Sequence, residues 1–180
     1  TGKNFADALA GSYLAVEKNA PILLTNGKDA NVAELHAYIK ANVAEGGKVY
    51  ILGGEAAVPA AVEAIDGYEA ERLFGDSRYD TNLAILEEAG VTGDSVIVAT
   101  GKTFADSLSA SAAKLPILLV KPDAALNDAQ KVVLTGMKNI YIAGGEGAVG
   151  ASYETELKAF GEVTRVFGES RYETSVEIAK

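Results

Sequence analysis

The chain is written twice. Gly2-Lys3-Asn4-Phe5-Ala6-Asp7-Ala8-Leu9 returns as Gly101-Lys102-Thr103-Phe104-Ala105-Asp106-Ser107-Leu108, and Pro21-Ile22-Leu23-Leu24 returns as Pro116-Ile117-Leu118-Leu119. Gly53-Gly54-Glu55-Ala56-Ala57-Val58 recurs as Gly144-Gly145-Glu146-Gly147-Ala148-Val149. The run Arg72-Leu73-Phe74-Gly75-Asp76-Ser77-Arg78-Tyr79-Asp80-Thr81 recurs as Arg165-Val166-Phe167-Gly168-Glu169-Ser170-Arg171-Tyr172-Glu173-Thr174. Separate blocks that return in one order mean that a single fold has been duplicated, so an element assigned in one copy is expected in the other.

Between the blocks, strand-like and helix-like patterns alternate. Short apolar or β-branched runs, Ile22 to Thr25, Val49 to Leu52, Arg72 to Phe74, Val96 to Thr100, Ile117 to Val120, Ile140 to Ala143 and Thr164 to Phe167, read as strands bounded by Gly or Pro. Continuous apolarity in Ile22-Leu23-Leu24 and Ile117-Leu118-Leu119 predicts strands buried on both faces of a parallel sheet. Apolar residues at helical spacing lie between them: Phe5, Leu9 and Tyr13; Val32, Leu35, Ile39 and Val43; Val58, Val62 and Ile65. The pattern predicts an α/β chain of two Rossmann-like or Toprim-like repeats, residues 1–94 and 95–180, with parallel sheets flanked by helices. A strand, Ser95 to Thr100, leads into the second Gly-Lys block, and its first-copy counterpart would end at Thr1. One strand is therefore expected to be missing from the first repeat, as in a window cut from a longer array. A chain extended by that strand is expected to melt higher.

Composition narrows the function. At 180 residues and 48% hydrophobic content the chain can bury a core, and no apolar run approaches the roughly 20 residues that cross a bilayer. The first residues lack the basic start and apolar stretch of a signal peptide. A formal charge of −9 opposes broad binding to nucleic acid or anionic membranes. The absence of cysteine excludes disulfides and thiolate metal sites.

The blocks GKNFADAL, PILLT, YILGGEAAV and RLFGDSRYDT resemble the cell wall binding repeat 2 family, tandem modules of Gram-positive surface proteins, over nearly the whole chain. The resemblance implies a secreted, cell-surface module that anchors its protein non-covalently to an anionic wall polysaccharide or teichoic-acid-like polymer. It also implies packing against neighbouring repeats of the same kind, an α/β fold, and no cofactor or catalysis. It implicates Ile22, Leu23, Leu24, Ile117, Leu118 and Leu119 in attachment. On physical grounds that part is indirect: the strands would hold the loops at their carboxyl ends, Thr25-Asn26-Gly27-Lys28 and Val120-Lys121-Pro122-Asp123, where open α/β sheets place ligands.

Every arginine belongs to the repeated motif: Arg72 and Arg78, then Arg165 and Arg171, with Tyr79 and Tyr172 adjoining the second of each pair. Arginine's planar fork suits carboxylate or phosphate, which makes these four arginines and two tyrosines candidates for the polymer site. The competing explanation is internal ion pairing, with Asp7, Asp106, Asp76, Glu169, Asp80 or Glu173 as acceptors. Gly2, Gly53-Gly54, Gly101 and Gly144-Gly145 follow strands and precede helices, where an anion can sit, but neither a dinucleotide fingerprint nor a P-loop is complete. Glu55 and Glu146 are explained by the dipole of the helix they would begin. His36, the sole histidine, lies on a predicted helix without a repeated counterpart. No nucleophile–base pair is visible. Two alternatives stay open: a nucleotide- or sugar-phosphate-handling enzyme, and a scaffold repeat with no ligand of its own. An acidic chain that holds an anionic polymer needs either a local basic pocket or a bridging divalent cation.

Overall fold

A computed structural model describes residue 1 and residues 4–180. Its parts alternate as the sequence pattern requires. The first copy contains α1 (Ala6–Glu17), α2 (Asp29–Asn42), β1 (Lys48–Leu52), β2 (Glu69–Leu73) and α3 (Arg78–Ala89). The second contains β3 (Ser95–Thr100), α4 (Ala105–Ser111), β4 (Ile117–Val120), α5 (Asp128–Leu134), β5 (Asn139–Ala143), α6 (Ser152–Leu157), β6 (Glu162–Val166) and α7 (Arg171–Ile178).

Local chemistry marks the helix ends. Ser77 and Asp80 form a reciprocal capping box at the start of α3, Asn127 and Gln130 form another at α5, and Ser170 caps α7 through the Glu173 amide. Gly90, at φ 67°, closes α3 in the left-handed conformation.

The second copy holds a four-stranded parallel sheet in the order β4-β3-β5-β6. Helices cover both faces of β3, so nearly all of it is buried, and its side chains divide by alternation. Val96 and Val98 join the main core with Tyr13 and Leu14 of α1, Ile85 and Leu86 of α3, and Leu157 of α6; Ile97 and Ala99 join a second cluster with Ala110 of α4. The two copies thus share one continuous core, with helices of the first packed into the second.

Among the described residues the first copy holds two strands, β1 and β2, paired in parallel, with a small cluster of Val32, Ile51, Val58 and Val62 beside them. The expected strand at residues 22–25 is not formed, and Ile22, Leu23 and Leu24 are 40%, 39% and 58% exposed. Their counterparts Ile117, Leu118 and Leu119 are at most 2% exposed in β4. The physical reason is pairing: β4 is hydrogen-bonded to β3, and no strand takes the place of β3 beside residues 22–25 among the described residues. The helix expected through Val58, Val62 and Ile65 is likewise a single 3-10 turn, Ala60–Val62. Pro59 lacks an amide hydrogen and Gly67 turns the backbone at φ 85°, so the segment between them is too short to sustain an α-helix.

Candidate functional site

The repeated motifs converge at the carboxyl ends of the strands. Gly53 follows β1 and Gly144 follows β5, with φ of 107° and 109°. A β-carbon on either glycine would also stand 2.7 Å from a carboxylate oxygen, of Asp7 in the first copy and Asp106 in the second. Burial raises the pKa of both carboxyls, against the opposing pull of the amino terminus and Arg78 on Asp7 and of Arg171 on Asp106. A raised folded-state pKa means that the folded chain binds the proton more tightly than the unfolded one. These groups therefore cost stability when ionised, and the cost is relieved as pH falls through the folded pKa toward 3.8. Asp106→Asn is expected to raise the melting temperature at pH 7 and to lose that advantage in acid. Paired thermal melts at pH 7 and pH 4 check this, and a lower melting temperature for the variant at pH 7 would contradict it.

Arg72 and Arg165 are internal struts. Arg165 donates through Nη1 to the carbonyls of Gly144 and Val149, both at 2.9 Å, and through Nε to Glu154, whose carboxyl it holds below its usual range. Arg72 donates to the Gly53 carbonyl at 2.6 Å and pairs with Glu63. Their side chains are 10% and 9% exposed. The ion-pairing explanation therefore describes these two arginines, with Glu63 and Glu154 as the acceptors in place of the carboxylates expected from the motif itself. Each ties the end of a strand to the turn that follows the neighbouring strand.

Arg78 and Tyr79 form the junction between the copies. Arg78 donates to the Gly101 carbonyl at 2.6 Å and lies 5.5 Å from the centre of the Phe5 ring, which packs against Phe104 at 5.7 Å. The Tyr79 ring fills the space where a Gly101 side chain would begin, 2.6 Å from the ideal β-carbon position. Arg171 and Tyr172 occupy the same place on α7 without such a partner: the Arg171 side chain makes no hydrogen bond to another described residue, and Tyr172 is 78% exposed. Arg171 instead lines a cavity of about 400 Å³ together with Lys102, Thr103, Asp106, Glu169 and Ser170. The structure thus brings Arg171 beside the carboxyl end of the second sheet and leaves Ile117, Leu118 and Leu119 inside it.

Asn82, one residue beyond the repeated block, holds the edge of that sheet. It is fully buried, donates to the Ile117 carbonyl at 2.9 Å and accepts from the Leu119 amide at 2.8 Å. Gln130 adds a donor to the Leu119 carbonyl at 3.1 Å. Together they satisfy the outer side of β4 as a further strand would. The only signal in the sequence was an asparagine on the buried side of a helix, between Thr81 and Ile85.

The remaining candidates have structural explanations. Gly2 and Lys3 lie outside the described residues. Glu55 and Glu146 stand in short turns, so the helix dipole invoked for them does not apply. His36 bonds the Val62 carbonyl at 3.0 Å. The loop after Leu24 closes on itself through Asn31, and the loop after β4 is tied down by Tyr153 and Gly150. Among the described residues no His, Asp and Glu cluster is placed to hold a metal ion, and no helix is long and apolar enough to cross a membrane.

The family model for cell wall binding domain 2 (CWB2) matches residues 1–63 and 72–154. The chain is 30% identical, over 99% of its length, to the N-acetylmuramoyl-L-alanine amidase LytC of Bacillus subtilis (strain 168), and 32% identical, over 98%, to the amidase enhancer of the same organism. It spans only 36% and 24% of those proteins. Among solved structures it resembles Cwp8 from Clostridium difficile, with a TM-score of 0.87 and 31% identity over 97% of this chain and 31% of that one. Cwp6 from the same organism shares the fold at a TM-score of 0.79 and 23% identity, over 97% of this chain and 29% of that one.

Proposed function

The chain belongs to the cell wall binding domain 2 family, and from that premise we propose that it is a non-catalytic module holding a surface protein on an anionic polymer of the Gram-positive wall. The observation that carries the reading is the unequal use of one repeated pair. Arg78 and Tyr79 are engaged by the turn of the second copy, whereas Arg171 and Tyr172 are not, and Arg171 lines a cavity with Lys102. Arg171 and Lys102 offer an anionic polymer two cations at the carboxyl end of a parallel sheet, beside the Asp106 and Glu169 carboxylates that line the same cavity. The amidase activity named for the LytC relative is compatible with this reading, because this chain matches about a third of that protein.

The units are residues 1–94 and 95–180, and a further repeat of the same kind is the proposed neighbour of the second. Its support is an apolar patch on α4 and α7: Phe104, Leu108, Tyr172 and Val176 are 46%, 53%, 78% and 56% exposed. None of their counterparts Phe5, Leu9, Tyr79 and Leu83 is exposed. Copied weak sites also suit a repetitive polymer, for which simultaneous engagement multiplies affinity.

Arg171→Ala is expected to weaken retention on isolated walls by roughly fivefold, the loss of about 1 kcal/mol from one charge-assisted contact, without lowering the melting temperature. Arg78→Ala is expected to lower the melting temperature, since it opens the junction. Unchanged retention of a folded Arg171→Ala chain would remove this arginine from the polymer site.

A further inference from the structure

Phe74 and Phe167 occupy one position of the repeated block, directly after β2 and β6 at the carboxyl ends of the two sheets. They are 56% and 53% exposed. Among the described residues they are the one pair of large apolar side chains in the repeated blocks that is exposed in both copies. Phe5, Leu9 and Tyr79 are half-buried where Phe104, Leu108 and Tyr172 are exposed, and Ile117, Leu118 and Leu119 are buried where Ile22, Leu23 and Leu24 are exposed. Phe74 stays open with a copy after it and Phe167 with a copy before it, so the packing of one copy on the next covers neither place.

Each ring stands on a fixed mount. The Cδ2 atom of Phe74 lies 3.6 Å from where a β-carbon of Gly54 would be, and that of Phe167 lies 3.6 Å from the same point on Gly145, so one edge of each ring rests on a turn without a side chain. Arg72 and Arg165 hold those turns through the Gly53 and Gly144 carbonyls. On the other side the Gly75 amide donates to the Thr81 hydroxyl at 3.1 Å, and the Gly168 amide to the Thr174 hydroxyl at 3.0 Å. Both threonines are buried. A single exposed phenylalanine needs no explanation, but the same ring held open on the same mount in both copies is placed for contact.

We infer that Phe74 and Phe167 are stacking platforms, one in each copy, and that each takes the face of an uncharged pyranose ring of the wall polymer. The inference rests on wall attachment and concerns a neutral part of the polymer, apart from the anionic group assigned to Arg171. The π face of a phenyl ring is negative and attracts the weakly positive C–H groups on one face of a pyranose. Exposed carboxylates stand close by in the chain: Glu55 on the turn and Asp76 in the first copy, Glu146 and Glu169 in the second. They accept hydrogen bonds from sugar hydroxyls and repel phosphate or carboxylate, which selects the neutral ring of an anionic repeat unit. The same carboxylates oppose an anionic lipid surface.

The test measures retention of the whole chain on isolated Gram-positive walls over a range of salt, with both phenylalanines changed together. Phe74→Leu with Phe167→Leu keeps an apolar side chain at each place and removes the ring. Retention is expected to weaken roughly 25-fold, about fivefold for each ring, by the same factor at every salt concentration and with an unchanged melting temperature. Phe74→Trp with Phe167→Trp is expected to be retained at least as strongly as the parent chain. Retention of the leucine pair equal to the parent's would remove the platforms and leave wall attachment standing. A loss that fades as salt rises would overturn the inference in favour of a cationic group on the rings. A folded parent chain that is not retained at all would overturn wall attachment, and the platforms with it.

Discussion

Leu118→Ala is expected to destabilise the folded chain by about 2–5 kcal/mol, while Leu23→Ala, at the same position of the repeated motif, is expected to cost about 1 kcal/mol or less. Leu118 is fully buried at the centre of β4, whereas Leu23 is 39% exposed on a segment with no strand partner among the described residues. Truncation of Leu118 removes its transfer free energy and leaves a void that β3 and the helices packed on the sheet cannot close; truncation of Leu23 exposes little that water does not already reach. Urea unfolding followed by circular dichroism measures both. Equal losses would contradict the asymmetry. The pair also separates two explanations for any attachment defect in the Ile-Leu-Leu motif. Leu23→Ala leaves the core intact, so weaker retention of that variant reports a direct role of the side chain at the wall, whereas in Leu118→Ala weaker retention is confounded with unfolding.

Asn82→Ala is expected to cost about 2–4 kcal/mol, more than a typical neutral hydrogen bond contributes, because it strands two buried backbone groups at once. The Ile117 carbonyl loses its donor at 2.9 Å and the Leu119 amide its acceptor at 2.8 Å, at a position fully closed to water. Exchange at the Leu119 amide should accelerate together with the loss of global stability. A variant within about 0.5 kcal/mol of the parent chain would mean that water or Gln130 replaces the asparagine, and the account of β4 as an edge sealed by side chains would fail. The effect would be felt across the junction, since Asn82 belongs to the first copy and the strand it seals to the second.

Duplication made much of the fold legible in the sequence alone. Repeated blocks located both copies, and β-branched runs located β3, β4 and β5 nearly to the residue. Residues 22–25 defeated the same reasoning because a strand is a property of a pair: Ile-Leu-Leu is equally apolar in both copies, but among the described residues only the second copy has a strand beside it. The arginines were legible as a class and not as individuals. Arg72 and Arg165 found acceptors in Glu63 and Glu154, which stand at the same distance past the Gly-Gly-Glu block in each copy, just beyond the blocks that the comparison used. Arg78 and Arg171 share the Ser-Arg-Tyr context and differ in whether a following turn lies within reach. Asn82 was illegible for a related reason, since the backbone groups it satisfies lie 35 and 37 residues away.

Anchoring to an anionic wall polymer is measured by retention of the whole chain on purified Gram-positive walls, before and after acid extraction of the polymer and across a range of salt. Retention is expected on intact walls, weakening as salt rises, and is expected to be lost from extracted walls. Retention that survives extraction unchanged, or none on intact walls by a chain shown to be folded, would contradict it.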